Sequence, residues 1–240
     1  MRTALHGTKP QWRTRGSLDR RDVIAALACF AGVFPWRGAF AQQAAACVLT
    51  PESGEGPFYF DPRLVRQDIT EGQAGAPLEL AMQVVRVGDC AALTNARVDV
   101  WHADSLGLYS GYARQRGTGE PLPSVVGQTY LRGTQLTDSA GSVAFRTVYP
   151  SWYTGRTPHI HFKVLLSDTE VVASQIFFPE DINVEVFQSA APYRDRRQRR
   201  DTFNRNDTFL TGRTGGAFCA VERSAGGYRA SLVVAVRVAA

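Results

Sequence analysis

The chain has 240 residues, 44% of them hydrophobic, a length that argues for one domain with an extension. No apolar run reaches the roughly 18 residues of a membrane-spanning helix. Of the 27 Lys and Arg, seven lie in residues 1–41 beside only Asp19 and Asp22, so the rest is near neutral and the formal charge of +5 is no evidence for nucleic-acid binding.

Residues 1–41 read as an export signal. A basic leader runs to Arg20-Arg21, an apolar stretch follows from Val23 to Pro35, and Ala39-Phe40-Ala41 gives a small-x-small cleavage pattern. The arginine pair before the apolar stretch resembles a twin-arginine signal. The expected location is therefore periplasmic or extracellular. Cys47, Cys90 and Cys219 remain after cleavage. An oxidising compartment permits one disulfide among them, and the sequence leaves the pairing open.

Residues 42–77 read as an irregular N-terminal arm rather than a core element, with Pro51, Gly54, Gly56, Pro57, Gly72, Gly75 and Pro77. From residue 78 to 240 the pattern is short strands and turns. Leu78, Leu80, Met82 and Val84 alternate, as do Val98 and Val100 before Trp101. Thr137 to Gly141 is a turn by composition, and strands are expected over 143–148, 159–166, 171–178 and 228–238. The fold class is all-β: a β-sandwich of short, mostly antiparallel strands. No long amphipathic helix is expected. The run Arg194 to Arg200 reads as a solvated surface connection.

The chemistry concentrates around Pro158-His159-Ile160-His161-Phe162. On a strand, residues two apart share a face, so His159 and His161 project together while Ile160 and Phe162 enter the core. Two neutral imidazoles side by side suit a shared cation. Tyr153 precedes them across Thr154-Gly155-Arg156, a turn by composition, and Tyr109 follows the strand ending near Trp101. A phenol is a poor ligand until a highly charged cation displaces its proton, and phenolate with imidazole suits hard ferric iron. A zinc hydrolase would need carboxylate or thiolate donors, and residues 153–161 contain none.

Glu55-Gly56-Pro57-Phe58-Tyr59, Val98-Asp99-Val100-Trp101 through Gly107-Leu108-Tyr109, Leu136-Thr137-Asp138 with Gly141, Tyr153-x-x-Arg156-x-x-His159-Ile160-His161-Phe162 and Gln175-Ile176-Phe177-Phe178 together resemble the intradiol ring-cleavage dioxygenases. The resemblance covers about residues 48–180. It implies one non-haem Fe(III) per chain, held by Tyr109, Tyr153, His159 and His161, with Tyr153 the ligand that leaves when substrate binds. It implies that Arg156 stabilises anionic substrate, that Gln175 is a polar neighbour of the centre, and that Pro57 lies near the substrate entrance. The implied reaction opens a catechol-type ring between its hydroxyls with O2, giving a cis,cis-muconate-type diacid. A homo-oligomer stays open. Where many exported relatives carry Cys in a Trp-His-Cys-Asp segment, this chain has Ala103. His102 reads as structural. The competing expectation is a non-catalytic transthyretin-like or carbohydrate-binding sandwich, since fold does not dictate function.

Overall fold

Period-two alternation builds two sheets whose apolar faces meet. The computed structural model describes residues 47–113, 115, 124–212 and 217–238; the expected export signal at 1–41 lies outside them. The strands are β1 (Pro77–Arg86), β2 (Arg97–His102), β3 (Arg132–Leu136), β4 (Ser142–Val148), β5 (His159–Leu166), β6 (Thr169–Phe177), β7 (Ala217–Phe218), β8 (Ala220–Ser224) and β9 (Gly227–Val236). One sheet has the order β4-β1-β9-β8 and the other β3-β2-β5-β6-β7. The pairs β1·β9 and β6·β7 are parallel and the others antiparallel. The chain is thus an all-β sandwich, as its alternation predicts.

Leu78, Leu80, Met82 and Val84 of β1 share one core with Val98 and Val100 of β2 and Ile160, Phe162 and Val164 of β5. Fully burying one such side chain contributes about 1.5–3 kcal/mol, so this core fixes the register of both sheets. Register matters for function because β5 is central. It sets Trp101 opposite His161 on one side and Gln175 opposite His161 on the other.

Three expectations need correction. The arm is not merely a lead-in: single bridges join Val65 to Thr134 and Asp68 to Arg146, and Ile69 is fully buried in the core. A helix, α1 (Glu180–Ser189), was not foreseen. Ile182, Val184 and Val186 alternate like a strand, yet the helix buries Ile182, Asn183 and Val186 and leaves Val184 exposed. The Asn183 amide oxygen accepts from the Tyr149 hydroxyl at 2.8 Å, a tertiary contact that overrides local propensity. The basic run, finally, is only half solvated. Arg196 lies over the Trp152 ring at 4.0 Å, and Arg200 pairs with Glu180 at 2.5 Å.

Cys47 and Cys90 form a disulfide that closes 43 residues of chain, tying the arm to the turn after β1, while Cys219 is free and buried. Cross-linking a loop of this size removes entropy from the unfolded chain. Cys90→Ser is expected to lower unfolding stability by about 2–4 kcal/mol. Guanidinium denaturation of oxidised wild type and variant measures this, and coincident midpoints would refute it.

Candidate metal centre and substrate pocket

His159 and His161 open β5 on one face, both 1% exposed. The His159 Nδ1–H donates to Thr157 O at 2.7 Å, which leaves Nε2 as a bare lone pair facing inward. His161 Nε2 stands 3.2 Å from it. The His161 ring lies flat on Trp101, centroids 5.1 Å apart, and a Cβ on Gly56 would come within 3.1 Å of His161 Cε1. Gly56 therefore holds the arm against the imidazole where any side chain would press on it.

Tyr109 arrives from the loop after β2. Asp104 Oδ1 accepts from Leu106 N at 2.8 Å and Leu108 N at 2.9 Å, which shapes that loop. Gln115 then brackets the Tyr109 backbone, accepting from its N and donating to its O, each at 2.6 Å. The Tyr109 Oη reaches His159 Nε2 at 3.1 Å. Tyr153 comes from the expected turn, closed by Arg156 N to Tyr153 O at 2.9 Å with Gly155 at φ +81. Its Oη stands 3.4 Å from the same His159 Nε2.

Two phenol oxygens and two imidazole nitrogens thus converge. Burial pushes both phenols above the ordinary tyrosine range and both imidazoles well below the ordinary histidine range. The protein alone makes this a site of neutral donors with lone pairs crowded together. His161 Nδ1 has no hydrogen-bond partner among the described residues. Among those residues no cluster of three or more His, Cys, Asp or Glu could hold a metal ion. The zinc-type donor set is therefore not found there, whereas imidazole with phenol fits a hard trivalent ion able to displace the phenol protons.

Arg156 borders the centre. Its Nη1 lies 3.4 Å from Tyr153 Oη, its Nη2 donates to Gln175 Oε1, and its Nε donates to Asp207 Oδ2 at 3.0 Å. The Phe209 ring lies 4.2 Å from the guanidinium carbon. A cavity of about 420 Å³ opens beside it, lined by Pro57, Phe58, Gly107, Gln115, Tyr153, Thr154, Arg156 and Phe209. Phe58 stacks on Tyr109 with centroids 4.5 Å apart, so the cavity leads past an aromatic wall to the phenols. That volume is within the usual range for small-molecule sites.

Comparison with known proteins agrees with this arrangement. The Dioxygenase_C family model, described as "Dioxygenase", matches residues 54–200. An intradiol ring-cleavage dioxygenase from Tetranychus urticae has a solved structure 31% identical to this chain, with TM-score 0.72, covering 80% of this chain and 95% of that one. This chain belongs to the intradiol ring-cleavage dioxygenases.

A chlorocatechol 1,2-dioxygenase of Pseudomonas putida is 31% identical over 104 residues, and the match spans only 36% of that relative and 36% of this dioxygenase. A 3-chlorocatechol 1,2-dioxygenase from Rhodococcus opacus 1CP shares the fold at 18% identity and TM-score 0.54, covering 84% of this chain and 78% of its own.

The residues that the resemblance assigned to the centre meet here: Tyr109, Tyr153, His159 and His161 with Arg156 and Gln175, and Pro57 on the cavity wall. Sequence reasoning missed Phe58, Gln115, Asp207 and Phe209 as parts of the site. Phe58 stood in a quoted segment, and Asp207 before Thr208-Phe209-Leu210 is a helix-start residue. Nothing local pointed either toward the centre.

His102 turns away from it. Its Nε2 bonds Thr147 Oγ1 at 2.7 Å and its Nδ1 bonds Ala103 O at 2.9 Å. Burial lowers its pKa to about 4. Above the ordinary histidine value of about 6.5, folded and unfolded rings are both neutral. As pH falls from there toward about 4, the unfolded ring takes a proton that the folded one refuses. Stability is then lost across that window, by about 3 kcal/mol from this residue at the lower end. Urea midpoints between pH 7 and 4 test it: His102→Gln should show a shallower decline than wild type, and parallel declines would refute the assignment.

Proposed function

We propose that this dioxygenase is a non-haem iron(III) enzyme that opens a catechol-type ring between its two hydroxyls with O2, giving a cis,cis-muconate-type diacid. The observation that carries the reading is the approach of Tyr109 Oη, Tyr153 Oη and His161 Nε2 to His159 Nε2, within 3.1–3.4 Å. Those four side chains would hold the metal. Bound there, iron(III) would supply Lewis acidity and electron-accepting capacity toward the catecholate.

The remaining work falls to the chain. Burial keeps both imidazoles neutral, so their lone pairs are available as ligands at any physiological pH. Tyr109 is fully buried, stacked on Phe58 and clamped by Gln115, which suits a permanent ligand. Tyr153 is half-buried, lines the cavity and sits on a short turn, which suits a ligand that yields. With the metal bound, its oxygen would be anionic and could take a proton from an incoming substrate hydroxyl, becoming a neutral phenol while the substrate becomes anionic. Arg156 then faces that anionic charge with a guanidinium already oriented by Gln175 and Asp207. Pro57 and Phe58 flank the ring and keep bulk water from it.

Export belongs to the same proposal. The Cys47–Cys90 disulfide supports an oxidising periplasmic or extracellular location, and the leader supports the twin-arginine route.

The test is to load the purified chain with iron, record its visible spectrum, and follow oxygen uptake with a panel of catechols. The expected result is a red-to-purple protein that consumes one O2 per ring and yields a diacid. An iron-loaded chain without tyrosinate colour and without oxygen uptake would overturn the reading.

A further inference from the structure

Arg156 is held from the side opposite the centre by a residue outside every motif quoted above. Asp207 lies beyond the stretch matched by the family model, 51 residues from Arg156 in sequence, and its side chain is fully buried. Oδ2 accepts from Arg156 Nε at 3.0 Å and from Thr157 N at 2.9 Å. Oδ1 accepts from Phe209 N at 2.9 Å, capping α2 (Thr208–Thr211). The Phe209 ring then covers the Arg156 guanidinium.

We propose that Asp207 is the positioning residue for Arg156: its carboxylate grips the Nε edge, so the two Nη groups can point only toward Tyr153 Oη and Gln175. The physical reason is the shape of the guanidinium. It is planar with a fixed fork of donors, so fixing Nε and one face leaves no rotational freedom for the other edge. A lone arginine at a cavity wall would swing among rotamers; this one is gripped on its edge and face. The role is exerted through Arg156, not by contact with substrate, and it rests on the functional reading above. Because the same carboxylate also caps α2 and holds Thr157, loss of a structural tie must be separated from loss of aim.

The iron-loaded full chain is compared with Asp207→Asn, Arg156→Lys and the double variant. Asparagine keeps an acceptor for the cap but loses the charge. The measurements are iron content, melting temperature, kcat and KM for catechol, and anaerobic binding of 4-nitrocatechol read by absorbance. Asp207→Asn is expected to keep iron and colour, while kcat/KM falls between ~10- and ~100-fold, as for other residues that orient a metal site's inner partners. Its anaerobic affinity for 4-nitrocatechol should weaken as well. On the Arg156→Lys background the same change should cost no more than about 2-fold, because no guanidinium is left to aim.

An Asp207→Asn enzyme equal to wild type overturns the proposal. So does an equal loss on both backgrounds, and so does a loss accounted for entirely by missing iron. Should Asp207→Asn fail to fold, Asp207→Glu replaces it, and a longer carboxylate that restores iron but leaves kcat/KM unchanged from wild type also counts against the proposal. A wild-type chain that binds 4-nitrocatechol yet turns over no catechol sinks the functional reading alone, and the binding comparison still decides the role of Asp207.

Discussion

Tyr109→Phe is expected to bleach most of the colour of the iron-loaded protein and to cut turnover by about a thousand-fold, equivalent to about 4 kcal/mol of barrier. The substitution removes a single oxygen atom. The ring stays stacked on Phe58, and Gln115 still brackets the backbone, so shape at the site is preserved. Losing one buried hydroxyl contact costs the fold about 1 kcal/mol. What changes is the donor set, because Tyr109 is buried too deeply for a water to take over the position of its oxygen easily. Visible absorption and steady-state oxygen uptake read the two effects separately. A variant with the wild-type spectrum and rate would mean that Tyr109 is an ordinary buried aromatic.

His161→Ala is expected to reduce bound iron from about one per chain to below about a tenth, with activity lost in proportion. Its Nε2 stands 3.2 Å from that of His159, and no other imidazole among the described residues is placed to substitute. His102 is occupied by Thr147 and the Ala103 carbonyl. Removing the ring also leaves space against Trp101, a large-to-small change of the kind that costs about 2–4 kcal/mol. His102→Gln is the control, since it disturbs a buried histidine of the same sheet without touching the donor set. Iron analysis of both proteins decides the point: equal metal content in the two would remove His161 from the centre. Adding free imidazole to His161→Ala should recover part of the colour.

Strand alternation was legible in the sequence because a strand repeats every two residues, so Leu78, Leu80, Met82 and Val84 had to share a face and His159 and His161 had to point together. The turn at Tyr153–Arg156 was equally local, since Gly155 tolerates the positive φ that such a turn requires. Convergence was not local. Tyr109 lies 50 residues before His159, and only the register of β2 against β5, set by core packing, brings that loop to the imidazoles. The resemblance supplied the grouping that spacing could not.

The cysteine pairing, the burial of Arg196 and Arg200, and the grip of Asp207 on Arg156 were decided by tertiary structure alone. Each joins chain segments at least 20 residues apart, and sequence periodicity carries information over only a few residues. At α1, the Ile-x-Val-x-Val run alternates like a strand, yet the segment is a helix that buries Ile182, Asn183 and Val186, with Asn183 hydrogen-bonded to Tyr149. Residue type and local spacing thus determined which chemistry this chain could perform. Long-range packing of two sheets determined where the pieces meet.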